Sequence, residues 1–281
     1  MTQQFRADLH CHSNCSDGNL TPQQLIHLAC EKNLNGLSIT DHDTIDAYLD
    51  AIPEAKNKQL SMISGVELSC FNRQTSVHIL GYSFNLNSAI MNQFCKSHKK
   101  RREIRLEAML DKLQAIKRPL TINEVMETSN SSTPPHSIGR PHIAQAMIKK
   151  GYVSSIKEAF QLYLGEGKSC YVAGEMFTVE ETIDVIHQSG GLAVIAHPHL
   201  ISDPKILQEL LQMDFDGIEG YYARFPQPAH ERWLKIGAKK GWIITGGSDF
   251  HGTIKPTIDL GSSWVNEETF SILFQHFKQH L

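Results

Sequence analysis

His10 and His12 stand two residues apart at the end of a short apolar run, and Asp17 follows five residues later, just before Gly18. Side chains at i and i+2 of an extended segment point the same way, so both imidazoles can face one centre. Residues of the same kind recur where other apolar runs stop: Asp41-His42, Glu67, His78, His197, Asp249 and His251. Neutral imidazole and carboxylate suit zinc, manganese and iron. So many ionisable groups at one place would repel or demand costly desolvation unless cations balance them. A lone His-x-His is just as compatible with a hydrogen-bonded core pair; it is the recurrence that points to a metalloenzyme.

The elements that must carry these residues read as alternating strands and helices. Phe5 to Leu9 is predicted as a first strand, and Thr21-Pro22 opens a helix with a capping residue and a proline at its first position. Leu37 to Thr40 is a second strand, followed by a helix from about Thr44 to Lys58 that breaks near Pro53. Leu60 to Val66 is a third strand ending at Glu67, and Val77 to Tyr82 a fourth. Residues 192–196, 217–220 and 242–245 complete a count of seven, with helices between them. This order implies an α/β chain of parallel βα units, whose chemistry collects at the C-terminal ends of the strands. Gly246-Gly247 is expected to form a tight bend beneath the site.

Between about residues 90 and 169 no good strand is found. Charge-rich Lys96 to Lys117, a capping box at Thr121-Ile122-Asn123-Glu124, Pro141 to Lys149 and Ile156 to Leu164 all read as helices, with a polar loop from Ser129 to Pro135. The expected organisation is a catalytic body, residues 1–95 and 170–281, and a helical insertion, 96–169, forming a substrate wall. Arg140, at a helix start, and Lys168, in the Gly165–Lys168 turn, suit phosphate. Lys99, Lys100, Arg101, Arg102 and Arg105 read as a solvated face that can also guide an RNA backbone. Asp41 and Asp43 are either turn residues or groups that orient a neighbouring imidazole. His199 is expected in solvent, and Cys11 is expected to point away from the His10–His12 face.

The chain has 281 residues and a formal net charge of −3. That balance carries no basic signature of a duplex-binding protein, while a small phosphorylated substrate or a short single strand remains compatible. Six scattered cysteines form no disulfide framework and are expected reduced; Cys11 and Cys15 leave a zinc pair conceivable, but no second pair completes it. No apolar window is long enough for a membrane span, so a soluble cytoplasmic protein is expected.

The motifs Asp8-Leu9-His10-Cys11-His12-Ser13, Thr40-Asp41-His42-Asp43, Gly65-Val66-Glu67, His78, Ala196-His197-Pro198 and Gly247-Ser248-Asp249-Phe250-His251 come in the order of a known family. The chain resembles the polymerase and histidinol phosphatase (PHP) superfamily of metal-dependent phosphoesterases. It is most similar to the bacterial subgroup acting as 3',5'-nucleoside bisphosphate phosphatase and 5'-to-3' exoribonuclease. The resemblance implies a distorted (β/α)7 barrel and three divalent ions. The implied ligands are His10, His12, Glu67 and Asp249 for the first; Glu67, His78 and His197 for the second; and Asp17, His42 and His251 for the third. Some relatives carry histidine where Asp17 stands. Its oxygen tilts the metal towards manganese, with zinc or iron as alternatives.

Glu67, His197, Asp249 and His251 are the implied catalytic set, and Arg140, Lys168, Asp43, His136 and His142 the implied substrate contacts. The implied reaction is hydrolysis of the 3'-phosphate of a nucleoside 3',5'-bisphosphate, with degradation of short 5'-phosphorylated RNA in the 5'-to-3' direction. Expected ligands are that bisphosphate, an AMP-like molecule or short single-stranded RNA, with no membrane and no obligate protein partner. The alternatives are a histidinol-phosphate or sugar-phosphate phosphatase, and a non-catalytic nucleic-acid-binding module.

Overall fold

The computed structural model describes residues 4–128, 138–174, 177–223 and 225–280, apart from the side chain of Gln227. Three short parallel strands, β1 (Ala7–Asp8), β2 (Gly36–Leu37) and β3 (Ser61–Met62), pair in that order. A second sheet runs β4 (Gly65–Asn72), β5 (Thr75–Tyr82), β6 (Leu192–Ile195), β7 (Gly217–Tyr222) and β8 (Ile243–Gly247). Isolated bridges join the two sheets at both margins: His42 to Glu67 on one side, Cys11 to Phe250 on the other.

This is a mixed α/β fold, and among the described residues its strands are not the uniformly parallel βα units that were expected. The β4–β5 pair is an antiparallel hairpin, with Asn72 opposite Thr75. Two intervening residues, Arg73 and Gln74, cannot hold the crossover that a parallel pair needs. β5 also meets β6 antiparallel, and only β6, β7 and β8 run parallel. The expected third strand divides as well, into β3 and the start of β4, so Glu67 lies inside a strand and not at its end.

On the first sheet's flank lie α1 (Pro22–Glu31), closed by a capping box between Thr21 and Gln24, and α2 (Tyr48–Lys58), which runs through Pro53. After β5 come α3 (Ala89–Ala115), α4 (Ile122–Met126), α5 (Arg140–Lys149) and α6 (Ile156–Ala159), the last continuing as a π turn over Phe160–Leu164. α7 (Val179–Gln188) leads back to β6, α8 (Pro204–Leu210) and α9 (Gln227–Lys240) separate the parallel strands, and α10 (Glu267–Lys278) closes the chain. Phe270, Leu273 and Phe277 of α10 pack on Ala7, Leu9, Ile63, Leu80 and Val194.

The helices after β5 carry their own apolar cluster, including Leu106, Met109, Leu113, Ile143, Met147 and Leu164. α3 joins it to the body: Met91 and Cys95 belong to the main core, while Leu106 to Leu113 belong to the insertion's. Between those two stretches the helix buries His98, Arg101 and Arg102, so this part of α3 is not the solvated face its composition suggested. Among the described residues no helix is long and apolar enough to cross a membrane, and all six cysteines are free.

Candidate metal centre

β1 delivers His10 and His12 to one place because the chain stays extended after Asp8. Cys11, between them, points the other way, and its buried thiol donates to the Ser38 carbonyl at 3.4 Å. Asp8 anchors this segment, accepting from the backbone N–H groups of His10, Ser248 and Gly261. Gly247 is strand, not bend: a Cβ there would lie 2.4 Å from that of His10, so glycine serves the close approach of β8 to β1.

Glu67 and His78 share a face of the hairpin. Glu67 is opposite Leu80, and His78 is two residues before Leu80, a diagonal neighbour. His197 follows β6, and Asp249 follows β8 with its N–H donated to the His10 carbonyl at 2.7 Å. Both hold left-handed backbone, φ 25° and 55°.

Three groups of donor atoms result. His10 Nε2 and His12 Nε2 lie 3.2 and 3.1 Å from Glu67 Oε2, and 3.5 and 3.3 Å from Asp249 Oδ1. Glu67 Oε1 lies 2.7 Å from His78 Nδ1 and 2.8 Å from His197 Nε2, and these nitrogens are 3.3 Å apart. Asp17 lies 3.3 Å from His251 Nε2, 3.7 Å from His42 Nε2 and 3.6 Å from His12 Nδ1. Each group has a spacing that one cation can bridge, and His42 also approaches the Glu67–His78 pair. All nine residues expected as ligands therefore meet in one cluster.

The electrostatics fit a cation-binding site. Burial pushes Asp17, Glu67 and Asp249 upward, yet their neighbours hold each well below the ordinary carboxylate range: the His251 and His42 rings for Asp17; the His42, His78 and His10 rings for Glu67; the Lys255 ammonium and the His251 ring for Asp249. Burial disfavours the charged form of each imidazole. It prevails at His42, driven down to about 3, and at His251. At His10 and His12 the carboxylates overcome it, raising His12 to about 9. Both ring nitrogens of the fully buried His12, and Nδ1 of His42, lack hydrogen-bond partners. Buried polar atoms without partners are costly, and a mixed nitrogen and oxygen donor set around them suits a divalent ion.

Glu219, on β7, is a participant that no sequence motif announces. Its buried carboxylate accepts from His10 Nδ1 at 2.8 Å and from the backbone N–H of His197 at 2.6 Å. This makes Nδ1 the donor to Glu219, so that His10 Nε2 would turn its lone pair to a metal ion once its proton is displaced, an arrangement common behind metal-bound histidines. A single glutamate in a six-residue strand has no spacing motif; its only signal was an acidic residue in an otherwise apolar run. Lys255 and Tyr222 were also missed. The Lys255 ammonium and the Tyr222 hydroxyl both donate to Asp249 Oδ2, at 2.6 and 2.7 Å.

The expected substrate contacts fare differently. Asp43 does not face the cleft: it accepts from Arg102 Nε at 2.7 Å and the Ser69 N–H at 2.6 Å, with Arg101 at 3.4 Å and His98 Nδ1 at 3.2 Å. Asp41 binds no imidazole; it accepts from the Ser13 N–H and from the hydroxyls of Ser13 and Ser16, tying down the loop that carries Asp17. His142 is buried and accepts the Gly139 N–H at 3.0 Å, capping α5. Arg140 lies 5.4 Å from the rings of both Phe160 and Tyr171. Lys168 is exposed. His136 and the loop 129–135 fall outside the described residues. His199 is not in solvent: it packs 4.4 Å from the Tyr222 ring and lines the cleft beside the cluster, about 350 Å³ in volume, with His42, His78, Phe225 and Lys255.

The family model described as the PHP domain matches residues 8–219. A 5'-3' exoribonuclease of Haemophilus influenzae is 34% identical over 258 residues, covering 89% of this chain and 91% of that protein. A 3',5'-nucleoside bisphosphate phosphatase of Chromobacterium violaceum is 29% identical over 259 residues, covering 90% of each. Among solved structures, a Bifidobacterium adolescentis protein described as a candidate metal-dependent phosphoesterase aligns with a TM-score of 0.86 at 27% identity, over 96% of each chain.

Proposed function

The chain belongs to the PHP domain family and is a metal-dependent phosphoesterase of it; from that premise we propose that it removes the 3'-phosphate of nucleoside 3',5'-bisphosphates and shortens 5'-phosphorylated RNA in the 5'-to-3' direction. The relatives named above as acting on RNA or on a nucleoside bisphosphate support this class of substrate.

The observation that carries the reading is a surplus of positive charge beside the metal centre. Arg102, Arg105, Arg140 and Gly139 converge on one tightly packed spot, where the Asp43 carboxylate balances part of their charge. Arg105 is driven down to about 9, first by burial and then by the neighbouring guanidiniums of Arg102, Arg140 and Arg101. Such crowding is relieved by an anion, and guanidinium forks match a phosphate. A substrate with a phosphate at each end would satisfy these guanidiniums and the metal centre together, where a simple monoester would satisfy only one. In this reading the described helices of the 96–169 insertion form the substrate wall.

In this reading His10, His12, Glu67 and Asp249 hold one divalent ion, Glu67, His78 and His197 a second, and Asp17, His42 and His251 a third, with manganese as the favoured metal. Bound there, such ions supply Lewis acidity, lowering the pKa of water and neutralising phosphoryl charge. The chain's own residues do the positioning. Glu67 ties two groups together, Glu219 holds His10 Nδ1 as its donor, and the Lys255 ammonium balances charge at the cleft mouth. Arg140 and its neighbours orient the 5'-phosphate so that the 3'-phosphorus faces the cluster.

The test compares adenosine 3',5'-bisphosphate, adenosine 3'-monophosphate, histidinol phosphate and 5'-phosphorylated short RNA, with manganese and with chelator. Manganese-dependent hydrolysis is expected to favour the bisphosphate over the monophosphate, and Arg140→Ala to remove that preference. Faster turnover of histidinol phosphate would refute the reading.

A further inference from the structure

Hydrolysis of a phosphate does not by itself require the wall that faces the metal centre. The chain leaves β6 through His197, Pro198, His199 and Leu200, and leaves β7 towards Phe225. The His199 ring lies 4.2 Å from that of Phe225 and 4.4 Å from that of Tyr222. Leu200 beside them is 61% exposed, and the buried Nε2 of His199 has no hydrogen-bond partner. Two rings and an exposed leucine at the mouth of a cleft, next to a cluster of charged groups, form an apolar surface that gains from being covered by a flat ligand.

The position of this wall identifies the ligand. Asp43, Ser69 and the arginines of α3 meet at β4, the first strand of the five-stranded sheet. The wall is built at the ends of β6 and β7, the third and fourth. Strands lie about 4.8 Å apart, so β4 and β7 are separated by about 14 Å, and the cluster spans from Glu67 on β4 through His78 on β5 to His197 after β6. With a 5'-phosphate on the arginines and the scissile phosphate at the cluster, as the function proposed above requires, the far substituent of the scissile phosphate falls on the wall. A bisphosphate has no such substituent, whereas in RNA it is the second nucleotide.

We propose that His199, Leu200 and Phe225 form a subsite that stacks the base of the second nucleotide of a short RNA. Every base presents a π face, so the subsite takes RNA without strong sequence preference. It is the feature that separates RNA from bisphosphate as a substrate of one centre.

The test uses the manganese-loaded full chain and three substrates: 5'-phosphorylated diadenylate, the same compound with an abasic second residue, and adenosine 3',5'-bisphosphate. The wild type is expected to favour the diadenylate over its abasic counterpart in kcat/KM by about ten-fold, within the weight of one base–aromatic stack. Phe225→Ala should bring the two together, mainly through KM, Phe225→Trp should restore the difference, and the loss on the bisphosphate should be smaller than that on the diadenylate. Equal use of the two dinucleotides by the wild type overturns the proposal, and so does an equal loss on all three substrates in Phe225→Ala. Binding to metal-free protein of a dinucleotide with 2-aminopurine as its second base, read by fluorescence, separates this subsite from the hydrolytic reading. Quenching that Phe225→Ala abolishes supports the subsite even if no nucleotide is hydrolysed; absence of quenching overturns it.

Discussion

Glu67 and Glu219 divide the work of one centre between them. Glu67 presents a separate oxygen to each of two donor groups, so Glu67→Ala should lower the bound metal measured by elemental analysis by more than one ion per chain and reduce kcat/KM at least about a hundred-fold, since metal catalysis carries several kcal/mol of the barrier. Unchanged stoichiometry would remove Glu67 from its bridging place. Glu219 acts through His10 and the His197 backbone. Glu219→Gln should weaken metal affinity about 10–100-fold, the usual weight of a carboxylate behind a ligand histidine, while circular dichroism stays native; equal affinity in a titration of the metal-free protein would contradict the role. The contrast shows what the sequence could carry. His10, His12 and the Gly247–His251 segment announce themselves by local spacing. Glu219 is 209 residues from His10, and no local pattern records that pairing.

At the scale of elements, the link between α3 and the loop after β2 decides how the arginine cluster is held. Asp43 is buried among Arg102, Arg101, His98 and the Ser69 amide. Asp43→Ala would strip that counter-charge, and loss of one partner of a buried pair costs about 3–5 kcal/mol, readable as a lower denaturant midpoint. Burial alone would raise the Asp43 carboxyl, but Arg102 and His98 hold it well below the ordinary range. A depressed native pKa favours folding above the unfolded-state value of about 3.9. That contribution is lost as pH falls below it towards the native value, so the wild type should lose stability below about pH 4 more steeply than Asp43→Ala. An identical acid limb in the two proteins would exclude this pair as its source. Sequence reading placed α3, but its lysines and arginines hid which turns of the helix are buried. The β4–β5 hairpin was misread for a different reason: Val77–Tyr82 has the composition of any strand, and direction is set by the two-residue connection, which carries no glycine signal.

For the whole molecule, the cluster concentrates Asp17, Glu67, Asp249 and Glu219 with six imidazoles where the two sheets meet. Ions that bind only the folded chain stabilise it by mass action, about 2.7 kcal/mol at a hundred times the dissociation constant. Manganese should raise the thermal midpoint of the metal-free protein and chelator should lower that of the loaded one; a midpoint indifferent to both would speak against a site built only on folding. The general architecture was legible because alternating runs and capped helices are local. The seams between the sheets were not, because the His42–Glu67 and Cys11–Phe250 bridges are single pairings between distant segments.

α3 runs unbroken from Met91 and Cys95 in one core to Leu106 and Leu113 in the other, and this limits how such a chain can change in length. Each residue added to an α-helix turns everything beyond it by about 100°. One codon inserted between Cys95 and Arg101 would swing Arg101, Arg102 and the whole apolar face of the insertion away from their partners at once. Substitutions along this helix are separate local events. Insertions and deletions there act on phase, and only those near a whole number of turns would leave both cores seated, with the arginine cluster displaced along the axis by about 1.5 Å per residue.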